Sequence, residues 1–196
     1  MSEYKIIHAK YNENTVTVYQ AFNNKIADEV LKEGGFGSSF NINRMTWIKP
    51  SFLWMMYRSG WGTKKDQERV LSINIVREGF DFILSRAVLT KYKSKIHGTP
   101  AEWKSKLKNS DIRCQWDPDR DIYGNKLEKK AIQLGLSGGA VNQYLNEWIC
   151  SINDISTTVC KWREQIKLGT FEIMLLPTEI EYEVDYTVKK SLGMIK

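Results

Sequence analysis

Strict alternation of hydrophobic and polar positions is confined to a few stretches of this chain. Thr15 to Phe22 is rich in β-branched and aromatic residues and reads as a strand with Val16, Val18 and Gln20 on one face. In Val70 to Val76, Leu71, Ile73 and Ile75 alternate with Ser72 and Asn74, the pattern of a half-buried strand. Ile112 to Trp116 predicts a short strand running into Asp-Pro-Asp-Arg-Asp, and Ala131 to Leu136 another running into Ser-Gly-Gly. Phe171 to Leu176 predicts a last strand.

Helical spacing takes over between these runs. Ile26, Ala27, Val30 and Leu31 predict a helix over 24–32, closed by Gly34-Gly35. Phe80, Ile83, Leu84, Ala87 and Val88 predict a second. Thr99, Pro100 and Glu102 combine an N-cap, a proline at the first helical position and a capping-box acid, so a helix carrying Trp103 and Leu107 starts there. Val141, Tyr144, Leu145, Trp148, Ile149 and Ile152 follow the most regular amphipathic spacing in the chain and predict one continuous helix. Asp154 or Ser156 then caps a helix through Ile155, Val159, Trp162 and Ile166, ended by Gly169. Interspersed strands and helices without internal repeats predict an α+β fold, a mixed or antiparallel sheet with packed helices. At 196 residues and 42% hydrophobic content, one domain over 1–196 is expected.

The stretch Asn43 to Gly62 departs from both periods. Pro50, nine residues without Gly or Pro, and then Gly60 predict a short helix from Pro50 to Ser59. Phe52 through Tyr57 are apolar on every face, which marks a core helix. Arg44 and Lys49 precede this plug and Arg58 ends it. Cations are rarely buried unpaired, so the three need carboxylates nearby or a bound anion.

Charge narrows the partner class. The net charge of +6 and pI near 9.1 favour a phosphate-bearing partner, a nucleotide or nucleic acid. Lys91, Lys93, Lys95, Lys104, Lys106 and Lys108 crowd one region, as either a solvated face or a phosphate-tracking surface. Cys114, Cys150 and Cys160 form no CxxC pair, and with only His8 and His97 they predict no metal site. The same shortage of histidine argues against a Ser-His-Asp or Cys-His centre. The first residues hold no apolar signal core and no apolar run reaches membrane-spanning length, so a cytoplasmic protein without membrane contact is expected.

Two further motifs are candidates for chemistry. Gly135-Leu136-Ser137-Gly138-Gly139 lies between a strand and a helix; Ser137 and Gly138 form either a phosphate-binding helix start or a plain tight turn. Gln115-Trp116-Asp117-Pro118-Asp119-Arg120-Asp121 sets three carboxylates at a strand end, suited to a general base, to stabilising a cationic transition state, or to an ordinary Asp-Pro turn. Asp117 and Asp119 are also potential partners for the three cations. The Asp spacing lacks the Gly and Glu of a calcium loop.

Taken together, Val18 to Phe22, Arg44 to Gly62, Gln115 to Asp121, Ile132 to Gly138, Glu147-Trp148-Ile149 and Leu175-Leu176-Pro177 resemble the family catalogued as domain of unknown function 4291, found in bacteria and fungi. A weaker similarity at the level of fold is to ADP-ribosyltransferases. Val18-Tyr19-Gln20-Ala21, the helix with Ile26 and Ala27, and Gly35-Phe36 are similar to the opening of those enzymes, and Gln115-Trp116-Asp117 looks like their Gln-x-Glu signature. Gln20 stands where they carry Arg, His or Tyr, Asp117 where they carry Glu, and no clear Ser-Thr-Ser element is present. The resemblance implies an NAD-dependent transferase or NAD hydrolase acting on nucleic acid or another phosphate-bearing substrate. Its implied catalytic residues are Asp117, Gln20 and Gln115. Arg44, Lys49 and Arg58 would meet the pyrophosphate, Trp47 or Trp54 would form an aromatic wall, and Ser137 and Gly138 would offer backbone amides. The alternative expectation is a non-catalytic nucleic-acid-binding domain using the 91–108 lysines and exposed Trp residues.

Overall fold

A computed structural model describes residues 4–195 of the chain. Two short strands, β1 (Tyr4–Lys5) and β2 (His8–Ala9), precede β3 (Thr15–Phe22), helix α1 (Asn24–Glu33), β4 (Thr46–Ile48) and α2 (Phe52–Ser59). Next come β5 (Arg69–Val76), α3 (Arg77–Arg86), β6 (Val88–Leu89), α4 (Ser94–His97) and α5 (Pro100–Lys108). The long hairpin of β7 (Ile112–Arg120) and β8 (Lys126–Leu136) leads to α6 (Gly138–Gln143), a π-helical turn at Tyr144–Trp148, and β9 (Ile149–Asp154). Helix α7 (Ser156–Leu168), a 3₁₀ turn at Ile173–Leu175, β10 (Ile180–Glu181) and α8 (Tyr186–Ser191) follow.

The fold is α+β, with two principal sheets. Strands β3, β5 and β9 form an antiparallel sheet of order β3-β5-β9. The second sheet is mixed: β8 pairs antiparallel with β7 and β4 and parallel with β1, while β6 runs parallel to β7. A bridge between Tyr19 and Lys49 joins the sheets: Tyr19 N–H donates to the Lys49 carbonyl at 2.8 Å and Lys49 N–H to that of Tyr19 at 3.3 Å. β2 and β10 make a separate antiparallel pair.

Alternation decides which side of the joined sheets is dry. Val16 and Val18 of β3 pair with Ile75 and Ile73 of β5, and with Ile48, Ile112, Cys114, Ile132 and Leu134 they enter the main core. Tyr19 points the other way, into a smaller cluster with Phe52, Met55 and Met56 of α2, Val70 and Val159. Burying each of the large apolar side chains contributes about 1.5–3 kcal/mol.

Local signals place several helices as expected. Asn23 accepts the Ile26 N–H at 3.0 Å to start α1, which ends at Gly34 with φ of 76°. The Thr99–Glu102 capping box opens α5. Helix α2 starts at Phe52, two residues after the proline, because Ser51 caps it by accepting from Trp54 N–H. Its Tyr57 and Arg58 are exposed, so the plug has one wet face.

Other expectations are corrected. The continuous helix predicted from Val141 to Ile152 stops at Gln143, unwinds through the π-helical turn and becomes β9, since Ile149 and Ile152 pair with Ile75 and Ile73 of β5. Apolar spacing survives the transition, which is why it mimics one helix. Ala87 and Val88 leave the helix after Arg86, and Val88 joins β6. Phe171 to Leu176 is no strand: it contains an exposed 3₁₀ turn without a sheet edge to pair with. The Asp-Pro of 117–118 is no turn either. Pro118 lies inside β7 at a register shift, where the missing N–H is tolerated, and the chain reverses at 121–125.

Gly79 shows how tightly α3 packs. A Cβ there would lie 2.5 Å from Cγ of Trp148, in the π-helical turn. Gly79→Ala is therefore expected to lower stability by about 1–2 kcal/mol in urea unfolding, overpacking outweighing the roughly 1 kcal/mol gained in helix propensity. Adding Trp148→Leu should recover part of the loss.

Candidate active site

The face of β4, β8 and β7 turned away from the main core is polar. Register pairs Trp47 with Gly135 and Gly135 with Arg113, and Gln133 with Gln115. Alternation then sets Trp47 and Lys49, Gln133 and Gly135, and Arg113, Gln115 and Asp117 on one face. Gly135 is needed for this arrangement, because a Cβ there would lie 2.6 Å from Met45 Sδ and 3.0 Å from the Trp47 ring.

Asp117 is the most elaborately held carboxylate on this face. The Gln115 amide donates to both its oxygens, at 3.0 and 3.1 Å, and the Gln133 amide donates to Oδ2 at 2.7 Å. Two amide donors fix the orientation of the carboxylate. Gln133 is buried. It interrupts an otherwise apolar run, and that interruption is the one sequence signal of its role.

Lys49 provides the nearby cation. Its side chain is buried at 6% exposure, and Nζ donates to the Trp47 carbonyl at 3.1 Å. Burial pushes its pKa down to about 7; the Arg58 charge pushes the same way, and Asp117 opposes both. Lys49 and Trp47 also line a cleft of about 400 Å³ with Gln20, Arg44, Met55 and Gln67. Arg44 is exposed on this lining. Above β7, the Arg120 guanidinium lies 4.0 Å from the Tyr57 ring centre, and Tyr57 stacks on buried Trp54 at 5.4 Å. Trp54 Nε1 and Arg113 Nε are buried without a partner among the described residues.

Lys49, Arg58, Trp47, Gln115 and Asp117 are thus brought together, with Arg44 beside them on the cleft. Of the remaining candidates, Gln20 is committed to neighbouring groups, and Ser137 and Gly138 are placed elsewhere. Gln20 borders the same cleft with its side chain tied down: its amide donates to Thr46 Oγ1 at 2.7 Å and, at 3.4 Å, to the Trp47 carbonyl that Lys49 Nζ also donates to, while its oxygen accepts from Tyr144 at 2.8 Å. Ser137 and Gly138 lie at the far end of β8. There the Asp111 carboxylate already accepts the Gly139 N–H at 2.9 Å, and a Cβ at Gly138 would meet that carboxylate.

The other two acids of the 115–121 motif are structural. Asp119 is buried and pairs with Lys129 at 3.2 Å. Asp121 closes the hairpin turn by accepting from the Tyr123 and Asn125 N–H groups. Near Asp119, Glu179 folds back to accept the first N–H of α2, from Phe52, at 2.6 Å. Burial, with Asp119 adding to it, raises the Glu179 pKa to about 8, although the Phe52 N–H acts against this. No group of His, Cys, Asp and Glu among the described residues is arranged to hold a metal ion, and no described helix is long and apolar enough to cross a membrane.

The chain belongs to the family described as Domain of unknown function (DUF4291), whose family model matches residues 6–182. No curated protein matches it.

The two shifted groups predict opposite pH slopes. Glu179 has a folded pKa near 8 against an ordinary 4.5, so the folded state holds the extra proton and stability falls as pH rises through that window. Glu179→Gln keeps an acceptor for Phe52 and should be more stable than the parent at about pH 9 but not at about pH 4, in urea unfolding. Lys49 has a folded pKa near 7 against 10.5, so the unfolded chain binds more protons and stability rises from pH 7 upward. Lys49→Met should flatten that rise, its gain in Tm being largest below pH 7.

Proposed function

We propose that the chain is an NAD-dependent ADP-ribosyltransferase-like enzyme, cleaving the nicotinamide–ribose bond and passing the ADP-ribosyl group to a phosphate-bearing acceptor or to water. The observation that supports this reading is Asp117, a carboxylate gripped by Gln115 and Gln133 on the sheet face that also carries Lys49 and Trp47.

The reaction breaks the bond between ribose C1′ and the nicotinamide nitrogen, and nicotinamide leaves with the electron pair. Positive charge then spreads over C1′ and the ring oxygen. A carboxylate already oriented by amide donors stabilises that charge without reorganising at the moment of reaction. The acceptor oxygen or nitrogen bonds to C1′ and releases its proton. In this assignment Asp117 faces the cationic ribose and Gln115 and Gln133 position it. Lys49, Arg58 and Arg44 meet the pyrophosphate, and Trp47 walls the nicotinamide side. Gln20, bonded to Thr46 and Tyr144, holds β4 in place and is a positioning residue.

The test is NAD labelled in its adenylate phosphate, followed for cleavage and for label transfer to a cell lysate. Asp117→Ala is expected to reduce cleavage by about 10²- to 10³-fold while leaving the folded state and NAD affinity near those of the parent. Gln133→Ala should give a smaller loss, in kcat more than in KM. Wild-type turnover by Asp117→Ala, or no NAD cleavage by the parent protein, would overturn the assignment.

A further inference from the structure

The lysine-rich region is folded into a groove, and the C-terminal helix completes it. A cavity of about 790 Å³ is lined by Tyr92, Lys93, Lys95 and Lys190, with Lys5 at its inner side. A second, of about 310 Å³, is lined by Lys95, His97, Lys106 and Lys190. The two adjoin, since Lys95, Ile96 and Lys190 border both. The walls are held close: a Cβ on Gly193, just after α8, would lie 3.1 Å from Ile96 Cδ1 and 3.4 Å from Lys93 Nζ.

Four of the lysines in this groove have no acidic partner among the described residues. Lys93, Lys95, Lys106 and Lys190 form no salt bridge with a described residue. The acids nearest in sequence are engaged elsewhere: Glu102 accepts from Thr99, and Asp185 caps α8 by accepting from Val188. Burial lowers the His97 pKa, and the charges of Lys106 and Lys93 lower it further. Aromatic rings stand beside the lysines. Tyr92 stacks with His97 at 6.1 Å, and Trp103 lies within 6.3 Å of both.

We infer that this groove between α4 and α8 binds the backbone of a single-stranded nucleic acid, with Lys93, Lys95, Lys106 and Lys190 taking successive phosphates. Four cations along adjoining cavities match a polyanion with regularly spaced charges better than one isolated phosphate. Cavities of this size have the dimensions of small-ligand pockets. Half-buried Tyr92 and His97 supply ring surface beside that path, which favours bases over lipid headgroups. Lys190 lies far from the 91–108 cluster in sequence and is recruited by the docking of α8, so the groove is more specific than a run of surface lysines. The binding itself stands without the NAD reading; that the bound strand is the ADP-ribose acceptor rests on it.

The experiment is fluorescence anisotropy of the full chain with a labelled 12-nucleotide single-stranded RNA and its DNA equivalent, each titrated over a range of salt. The expected result is salt-steep binding, with log K falling against log salt by about 0.7 for each phosphate contacted. Lys95→Glu/Lys190→Glu should weaken binding at least tenfold and flatten the salt slope, with circular dichroism and Tm unchanged. Lys25→Glu/Lys32→Glu on α1 should leave affinity as it was. The proposal is overturned if neither strand binds, if the groove variant binds like the parent, or if phosphatidylserine vesicles bind through the same lysines and the strands do not. NAD hydrolysis without acceptor, run in parallel, separates the two readings. Strand binding that persists in a protein unable to cleave NAD sustains the groove and removes only its role as acceptor site.

Discussion

The pairing of Lys49 with Tyr19 is the contact on which the rest of the structure depends. Its two backbone hydrogen bonds join β4 to β3, so two sheets that share no other ladder among the described residues become one curved surface. The same residue places its side chain on the polar face, beside the Trp47 carbonyl and in the field of Asp117. Backbone geometry and site electrostatics therefore meet at a single position. Tyr19 contributes equally on its side, because its ring packs edge-on against Phe52 and seats α2 over the junction.

This junction sorts the polar residues into two kinds. At the start of β4, Gln20, Thr46 and Tyr144 satisfy one another and make a closed network, which favours a unique packing of β4. On the polar face, the network around Asp117 is open: its acceptors are oriented by Gln115 and Gln133, while Lys49 is buried and only weakly committed to its own strand. A closed network stabilises a fold, whereas an open one beside a cleft holds charge available for a ligand. The lysine groove at α4 and α8 is a second open feature, with opposite charge to Asp117 and its own aromatic surface.

Local pattern made much of the secondary structure legible. Alternation in Val16, Val18 and Gln20, and in Leu71, Ile73 and Ile75, predicts β3 and β5 with the correct inward face. The Thr99–Glu102 box marks the start of α5, and Gly34 and Gly169 mark helix ends. The 141–152 segment mimics a single helix for a definite reason. A short helix, a π-helical turn and a strand kept the apolar spacing of one helix, and only the open edge of β5 and the fit of Trp148 against Gly79 select the break. At the site, residue types were legible and roles were not. Asp117, Asp119 and Asp121 look alike in the motif, yet Lys129 takes Asp119 and a turn takes Asp121.

By itself, then, the sequence determined the α+β class, most strands and caps, and the presence of cations and carboxylates around an aromatic plug, because these depend on short-range periodicity and on residue chemistry. Tertiary structure alone decided that Gln133 joins Gln115 on Asp117, that Gln20 bonds Thr46 and Tyr144, that Asp111 occupies the turn at Ser137 and Gly138, and that Lys190 closes the basic groove. Each of those outcomes is set by strand register or helix docking between distant segments, and neighbouring residues in the chain carry no record of it.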